Sequence, residues 1–249
     1  MTFDLWFFIA AIPATLFAGV SKAGFGSGAA FASSAILALV VEPSAAIGLM
    51  LPLLMVIDAA SLKPYWGKWD WGLSWPVIWA AIPGVALGAL IYQFANDNIL
   101  RALIGGIALA FVAYDWSKRA GLLKLGARKF PTWVGALTGA VAGFTSFVSH
   151  AGGPPVAVYL LSQGVGKGVY QASSVLIFWA INLFKFVPYT FLGIFTAQTL
   201  VADLILVPFA LLGTWLGVRA HRVVSETWFF RITYILLLIT GTRLLVTAF

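Results

Sequence analysis

The sequence predicts an all-α membrane protein built from two inverted repeats, each with a Gly-rich broken or re-entrant helical segment plus transmembrane helices. Three observations carry this prediction: the composition, the spacing of the apolar stretches, and a self-similarity at a nearly constant offset. Of 249 residues, 61% are hydrophobic and only 9% are charged, where a soluble domain carries about 25% charged residues. Mean hydropathy is +0.99, and the chain holds 11 Trp and 20 Phe beside 25 Gly and 11 Pro. This excludes a cytosolic enzyme and a disordered chain. The lack of cysteine excludes disulfide scaffolds, thiol catalysis and thiolate metal sites. Two histidines leave little for an all-protein metal cage, so no metal and no cofactor is expected.

Apolar stretches run at roughly 3–20, 28–41, 43–62, 74–94, 98–116, 132–148, 152–163, 168–192, 197–218 and 228–248. A membrane span needs about 20 apolar residues, and seven of these stretches meet that length or nearly so. Residues 28–41 and 152–163 are too short to cross unaided. Each follows a Gly-rich break, which leaves open whether they span or re-enter. The first stretch has no basic residues ahead of it, only Asp4, and reads as a retained helix.

The net charge of +7 maps onto loops rather than onto a nucleic-acid surface, and no nucleic-acid partner is expected. Lys118, Arg119, Lys124, Arg128 and Lys129 crowd residues 117–131 with no acid among them, which places that loop in the cytoplasm by the positive-inside rule. Lys63, Lys68, Lys167, Arg219, Arg222 and Arg231 then fall on the same side. The connections near 42, 95–98 and 193–197 carry Glu42 and Asp97 but no Lys or Arg, and both termini fall on the far side. Trp66, Trp69, Trp71 and Trp75 flank one inner loop as interfacial aromatics do.

The repeat is read at an offset of 124. Residues 19–28, GVSKAGFGSG, lie on 143–152, GFTSFVSHAG, with Gly19 on Gly143 and Gly28 on Gly152. At the same offset Asp58 falls on Asn182, Pro64 on Pro188 and Tyr65 on Tyr189. Pro83 and Gly88 match Pro208 and Gly213 at 125, and Arg101 matches Arg231 at 130. An odd number of crossings per half turns the halves upside down relative to each other, the pattern of secondary transporters. The chain then forms a single transmembrane domain: repeat 1 over about 1–116, the cytoplasmic loop 117–131, and repeat 2 over about 132–249.

The breaks are the first candidate site. Gly24, Gly26, Ser27 and Gly28 form one; Ser149, His150, Ala151, Gly152, Gly153, Pro154 and Pro155 form the other. Two half-helix N-termini meeting near mid-membrane would present N–H donors to an anion, with glycine allowing close approach. The competing reading is that these glycines only let helices pack closely.

The Ser149–Pro155 run, its Gly-rich partner near the N-terminus, the duplication and the chain length together resemble the TauE/SafE family of sulfite and sulfonate exporters. The resemblance covers essentially the whole chain. It implies export of a small sulfur oxyanion or organosulfonate from a bacterial cytoplasm, across the inner membrane, by a multi-pass protein. The first break departs from the family's run of consecutive glycines, with Ser27, Ala29 and Ala30 there and no proline between it and Pro43.

Ionisable groups inside a membrane are functional candidates. Lys185 is either a partner for substrate charge or a lysine snorkelling to the outer interface. Lys22 lies just before the first break. His150 is a donor to an oxyanion or a proton carrier. Asp58 is a proton-coupling carboxylate or an ion-pair partner for Lys22 or Lys63. Asn182, Ser27 and Ser149 offer hydrogen bonds to oxygens, whereas Asp115 and Asp203 read as interfacial. The expected substrate-binding set is therefore Lys22, Gly26, Ser27, Gly28, Ser149, His150, Gly152, Gly153, Asn182 and Lys185, with Asp58 and His150 as proton-coupling candidates. Two other functions compete: a passive anion channel, and an intramembrane serine protease using Ser27 with His150 as base. The expected partners are a small anion and the lipid bilayer; the sequence leaves the oligomeric state open, a homodimer included.

Overall fold

The computed structural model describes residues 4–26, 29–122, 129–220 and 226–249. Ser27 and Gly28 of the first break, and Lys124, Arg128 and Arg222 of the basic loops, lie outside the described residues. Ten helices form in the described residues, with no strand: α1 (Leu5–Phe25), α2 (Ala32–Leu37), α3 (Pro43–Tyr65), α4 (Trp71–Phe94), α5 (Asp97–Arg119), α6 (Thr132–Ser149), α7 (Gly153–Ser162), α8 (Lys167–Phe191), α9 (Ala197–Ala220) and α10 (Glu226–Val246). Eight are long and apolar enough to cross a membrane, one more than the stretch lengths alone gave. The other two, α2 and α7, have six and ten residues. At 1.5 Å per residue they reach about 9 and 15 Å, well short of a hydrocarbon core of about 30 Å.

Local signals set the helix ends. Asp4, Asp70 and Asn96 accept hydrogen bonds from Phe7 N, Leu73 N and Ile99 N, capping α1, α4 and α5. Pro43 opens α3 in the first turn, where its missing N–H is an orphan in any case. The α1 helix runs five residues beyond the apolar stretch 3–20, so Ser21, Lys22 and Gly24 are helical and buried rather than in a loop. Tertiary packing overrides the local drop in hydropathy there.

Two close-packed helix pairs frame the molecule. Helix α1 lies along α9. A Cβ on Gly19 would sit 2.7 Å from Thr214 N, and one on Gly24 2.6 Å from the carbonyl oxygen of Gly217. Helix α4 lies along α6, where Cβ atoms on Gly84, Gly139 and Gly143 would collide with the carbonyls of Ala140, Val77 and Ala81. In both pairs the contacts advance in the same direction along the two chains, so the helices run parallel, with backbones brought together by small residues as in other membrane bundles.

The middle is crossed by α3 and α8. Asp58 meets Asn182, and Tyr65 clusters with Ala172 and Val175, so these two helices are antiparallel. Helices α5 and α10 are antiparallel as well: Gly105 approaches Gly241, while Phe111 packs near Tyr234. Outward faces are apolar, with Trp66, Trp71, Trp75 and Trp79 linked edge to face by way of Trp69.

Candidate functional site

The site lies where α1, α3, α6 and α8 converge. Lys22, on the last turn of α1, places Nζ 2.6 Å from Oδ1 of Asp58 on α3. The other oxygen, Oδ2, accepts a hydrogen bond of 2.6 Å from Asn182 Nδ2 on α8. One turn further along α8, Lys185 is fully buried. Its Nζ donates to the carbonyl and the hydroxyl of Ser146, both at 3.0 Å, and lies 2.8 Å from His150 Nδ1. Three acceptors match the three N–H donors of an ammonium.

The histidine's tautomer follows from its partners. His150 Nε2 is 3.0 Å from the carbonyl oxygen of Ile47, which can only accept. Nε2 therefore carries the proton and Nδ1 turns its lone pair to Lys185. The ring is neutral and both nitrogens are occupied. That removes the base which a Ser27–His150 dyad would need.

Among the described residues, the centre thus holds two buried lysines and one carboxylate, which pairs with Lys22. Lys185 has no carboxylate within ion-pairing distance there, because Asp58 is taken by Lys22. The snorkelling alternative for Lys185 fails, since its Nζ is held in the interior. For Asp58 the ion-pair partner is Lys22, while Lys63 is exposed.

Around this centre the two breaks are shaped differently from the picture of facing helix dipoles. Helix α1 ends at Gly26 in the left-handed region, φ 74°, with the ring of Tyr170 against its Cα. Helix α6 ends at His150, φ 58°, the one non-glycine residue of positive φ among the described residues. A non-glycine residue held there stores of order 1 kcal/mol or more of strain. The left-handed turn of the second break is therefore at His150 and not at Gly153, which begins α7 in helical geometry. Pro154 and Pro155 follow and bring no N–H, and the Ala151 N–H is spent on the carbonyl of Thr145. In this break Gly152 and Gly153 keep an N–H that the prolines lack. Ser149 is also engaged: its hydroxyl donates to the carbonyl of Thr145 and its own carbonyl accepts from Ser34. Gly152 is buried against Phe178 and Ser146, and Gly24 serves helix packing.

Several residues here escaped the sequence reading. Ser146 lies at an offset of 124 from Lys22, so the repeat carried a signal for it. Gln171 donates to the carbonyl of Lys22 at 2.7 Å. Tyr65 and Tyr189 donate to the carbonyls of Ala23 and Phe147 at 2.8 and 2.6 Å. Asp203, expected at an interface, is buried in α9, and neither carboxylate oxygen has a hydrogen-bond partner. Among the described residues no cluster of His, Cys, Asp or Glu has a geometry that would hold a metal ion.

The centre is tight. The cavity between Lys22, Ser146, His150 and Asn182 measures about 10 Å³, room for one water molecule. Eight helices long and apolar enough to cross a membrane, packed around two buried lysines and a buried carboxylate, define a class: a multi-pass helical membrane protein. The family model described as sulfite exporter TauE/SafE matches residues 11–244, and the chain belongs to that family, which is one of membrane transporters and not of enzymes. No curated protein and no solved structure matches the chain.

Proposed function

We propose that the protein exports a small sulfur oxyanion, sulfite or an organosulfonate, across the bacterial cytoplasmic membrane by alternating access. The observation that carries this reading is the make-up of the buried centre: two lysines, Lys22 and Lys185, and one carboxylate, Asp58, which pairs with Lys22. An anion arriving there replaces missing negative charge, whereas a cation meets repulsion. Lys22, Lys185, Asn182 and Ser146 supply donors of the kind that sulfonate oxygens require. Within this reading the glycines and Ser149 of the breaks shape the turns that carry Lys22 and His150. Asp58 and His150 are the groups through which a proton would couple.

Alternating access draws support from paired features at the 124 offset. Tyr65 and Tyr189 donate to Ala23 and Phe147, themselves 124 apart. Gly26 and His150 both end their helices in the left-handed region. Asp58 bonds to Asn182, its own counterpart, where α3 crosses antiparallel to α8. These are the contacts expected of two inverted repeats about a local two-fold axis through the Asp58–Asn182 pair, with α2 and α7 as the broken segments. A centre with room for one water must open before a polyatomic anion enters, and rocking of the halves about that axis would open it to one side at a time.

A panel of ligands on purified protein tests this function. Sulfite or a sulfonate should raise the melting temperature in a saturable way, because a ligand that binds only the native state stabilises it, while chloride at equal ionic strength should not. In proteoliposomes, saturable counterflow supports the carrier. Efflux that rises linearly with concentration would favour the passive channel instead, and loss of any anion-specific stabilisation would refute both.

A further inference from the structure

A second cavity, of about 370 Å³, opens between α5, α7, α8 and α10. Phe25, Phe111, Tyr114, Lys118, Lys167 and Gln171 are among its walls. This size lies within the range of small-molecule sites and is far larger than the tight centre. The two are neighbours: Gln171, in the wall, is the residue bonded to the carbonyl of Lys22. The chemistry of the walls is mixed: among the described residues, aromatic faces for hydrocarbon stand beside two lysines and one carboxylate, that of Asp115. The hydroxyl of Tyr114 is buried and has no hydrogen-bond partner, an unusual state for a buried polar group. A pocket that only drained ions toward Lys22 would need neither the aromatic faces nor an unsatisfied hydroxyl.

We infer that this vestibule is a subsite for the carbon chain of an organic oxyanion, with the oxyanion end directed at Lys22 and a polar group on the chain bonded to Tyr114. The inference rests on the anion-transport reading and narrows it: the preferred substrate carries a short hydrocarbon part, and bare sulfite uses only half of the site. Ala157 of α7 lies in the same wall, where a larger side chain would fill the space a hydrocarbon occupies.

The test is a binding series on the full-length purified protein with sulfite, methanesulfonate, propane-1-sulfonate and 3-hydroxypropane-1-sulfonate. Two added methylenes should tighten binding about tenfold from methane- to propanesulfonate. Ala157→Phe should erase that gain and leave sulfite unchanged. Tyr114→Phe, which removes a hydroxyl without a partner and so should fold normally, should weaken the hydroxypropane compound several-fold and spare propanesulfonate. The subsite is overturned if propanesulfonate binds no tighter than methanesulfonate while sulfite binds. It is equally overturned if Ala157→Phe weakens sulfite as much as propanesulfonate, or if Tyr114→Phe leaves the hydroxypropane compound unaffected. Failure of all four anions to bind the wild-type protein overturns the transport reading itself.

Discussion

Replacing Lys185 with Met separates charge from packing at the centre. The side chain is fully buried, and Met follows nearly the same path without the ammonium. Three hydrogen bonds disappear, to the carbonyl and hydroxyl of Ser146 and to His150 Nδ1. Against this, the desolvation of a buried ammonium disappears too, and replacing buried charge by apolar groups is often nearly neutral. What remains is chiefly the stranded lone pair of His150, a penalty of about 1–3 kcal/mol. The fold should therefore survive with a modest loss of melting temperature. Binding should fare worse. A charge-assisted hydrogen bond from Lys185 to a substrate oxygen is worth about 1.5–3 kcal/mol, which is a loss of affinity of roughly tenfold to more than a hundredfold. The assay is equilibrium binding of the tightest anion of the panel to detergent-solubilised variant and wild type, beside their melting curves. A well-folded Lys185→Met protein of unchanged affinity would show that the second cation has no role in substrate binding, and the charge-balance argument would collapse with it.

Other perturbations probe separate parts of the reasoning. Asp58→Asn should be the most damaging single change at the centre, about 3–5 kcal/mol, because Lys22 then stays buried without a carboxylate; the Lys22→Met, Asp58→Leu double variant should recover most of that stability in thermal melts, and a double variant no more stable than Asp58→Asn would contradict the pairing. Gly143→Val should lower the melting temperature sharply, since its Cβ collides with the carbonyl of Ala81, whereas Gly106→Ala, with nothing near its Cβ, should be neutral or slightly stabilising. Cysteines introduced singly at Lys129 and Asn96 into this cysteine-free chain should react with a membrane-impermeant thiol reagent from opposite faces, and labelling of both from one face would refute the assigned topology.

How much of this was legible beforehand depends on the distance over which each feature is determined. Spans are local: length, apolar composition and capping residues such as Asp70 and Asn96 act within a few residues, so the helices emerged close to their places. The end of α1 did not, because the place of Lys22 just before the break stays open until Asp58, 36 positions away, supplies its partner. The repeat compensated in part. It placed Asp58 opposite Asn182 and marked Tyr65 and Tyr189, although their hydrogen bonds needed three dimensions. It said nothing about which lysine would hold the carboxylate, since Lys22 aligns with Ser146 and Lys185 aligns with Ser61, so neither cation has a charged counterpart. A Gly-rich turn looks alike from sequence whether it presents N–H groups or admits a neighbouring ring, as Gly26 admits Tyr170.

The asymmetry of those lysines bears on how a proposed exporter would run. With the cell interior negative, an anion leaving the cytoplasm moves down the electrical gradient, by about 2.3 kcal/mol per charge per 100 mV. Export of a singly charged sulfonate therefore does not require a proton to drive it. The harder physical problem is release, because two ammonium groups in a low-dielectric centre would hold an oxyanion too well. Asp58 answers it within the proposed mechanism. Its carboxylate is already bonded to Lys22 and Asn182, so it would compete with substrate for the same donors and close the centre once the anion departs. Lys185, held only by neutral groups, has no carboxylate competing with the next anion. In that mechanism one lysine would reset the site and the other would receive, a division of labour that two symmetric ion pairs would not provide.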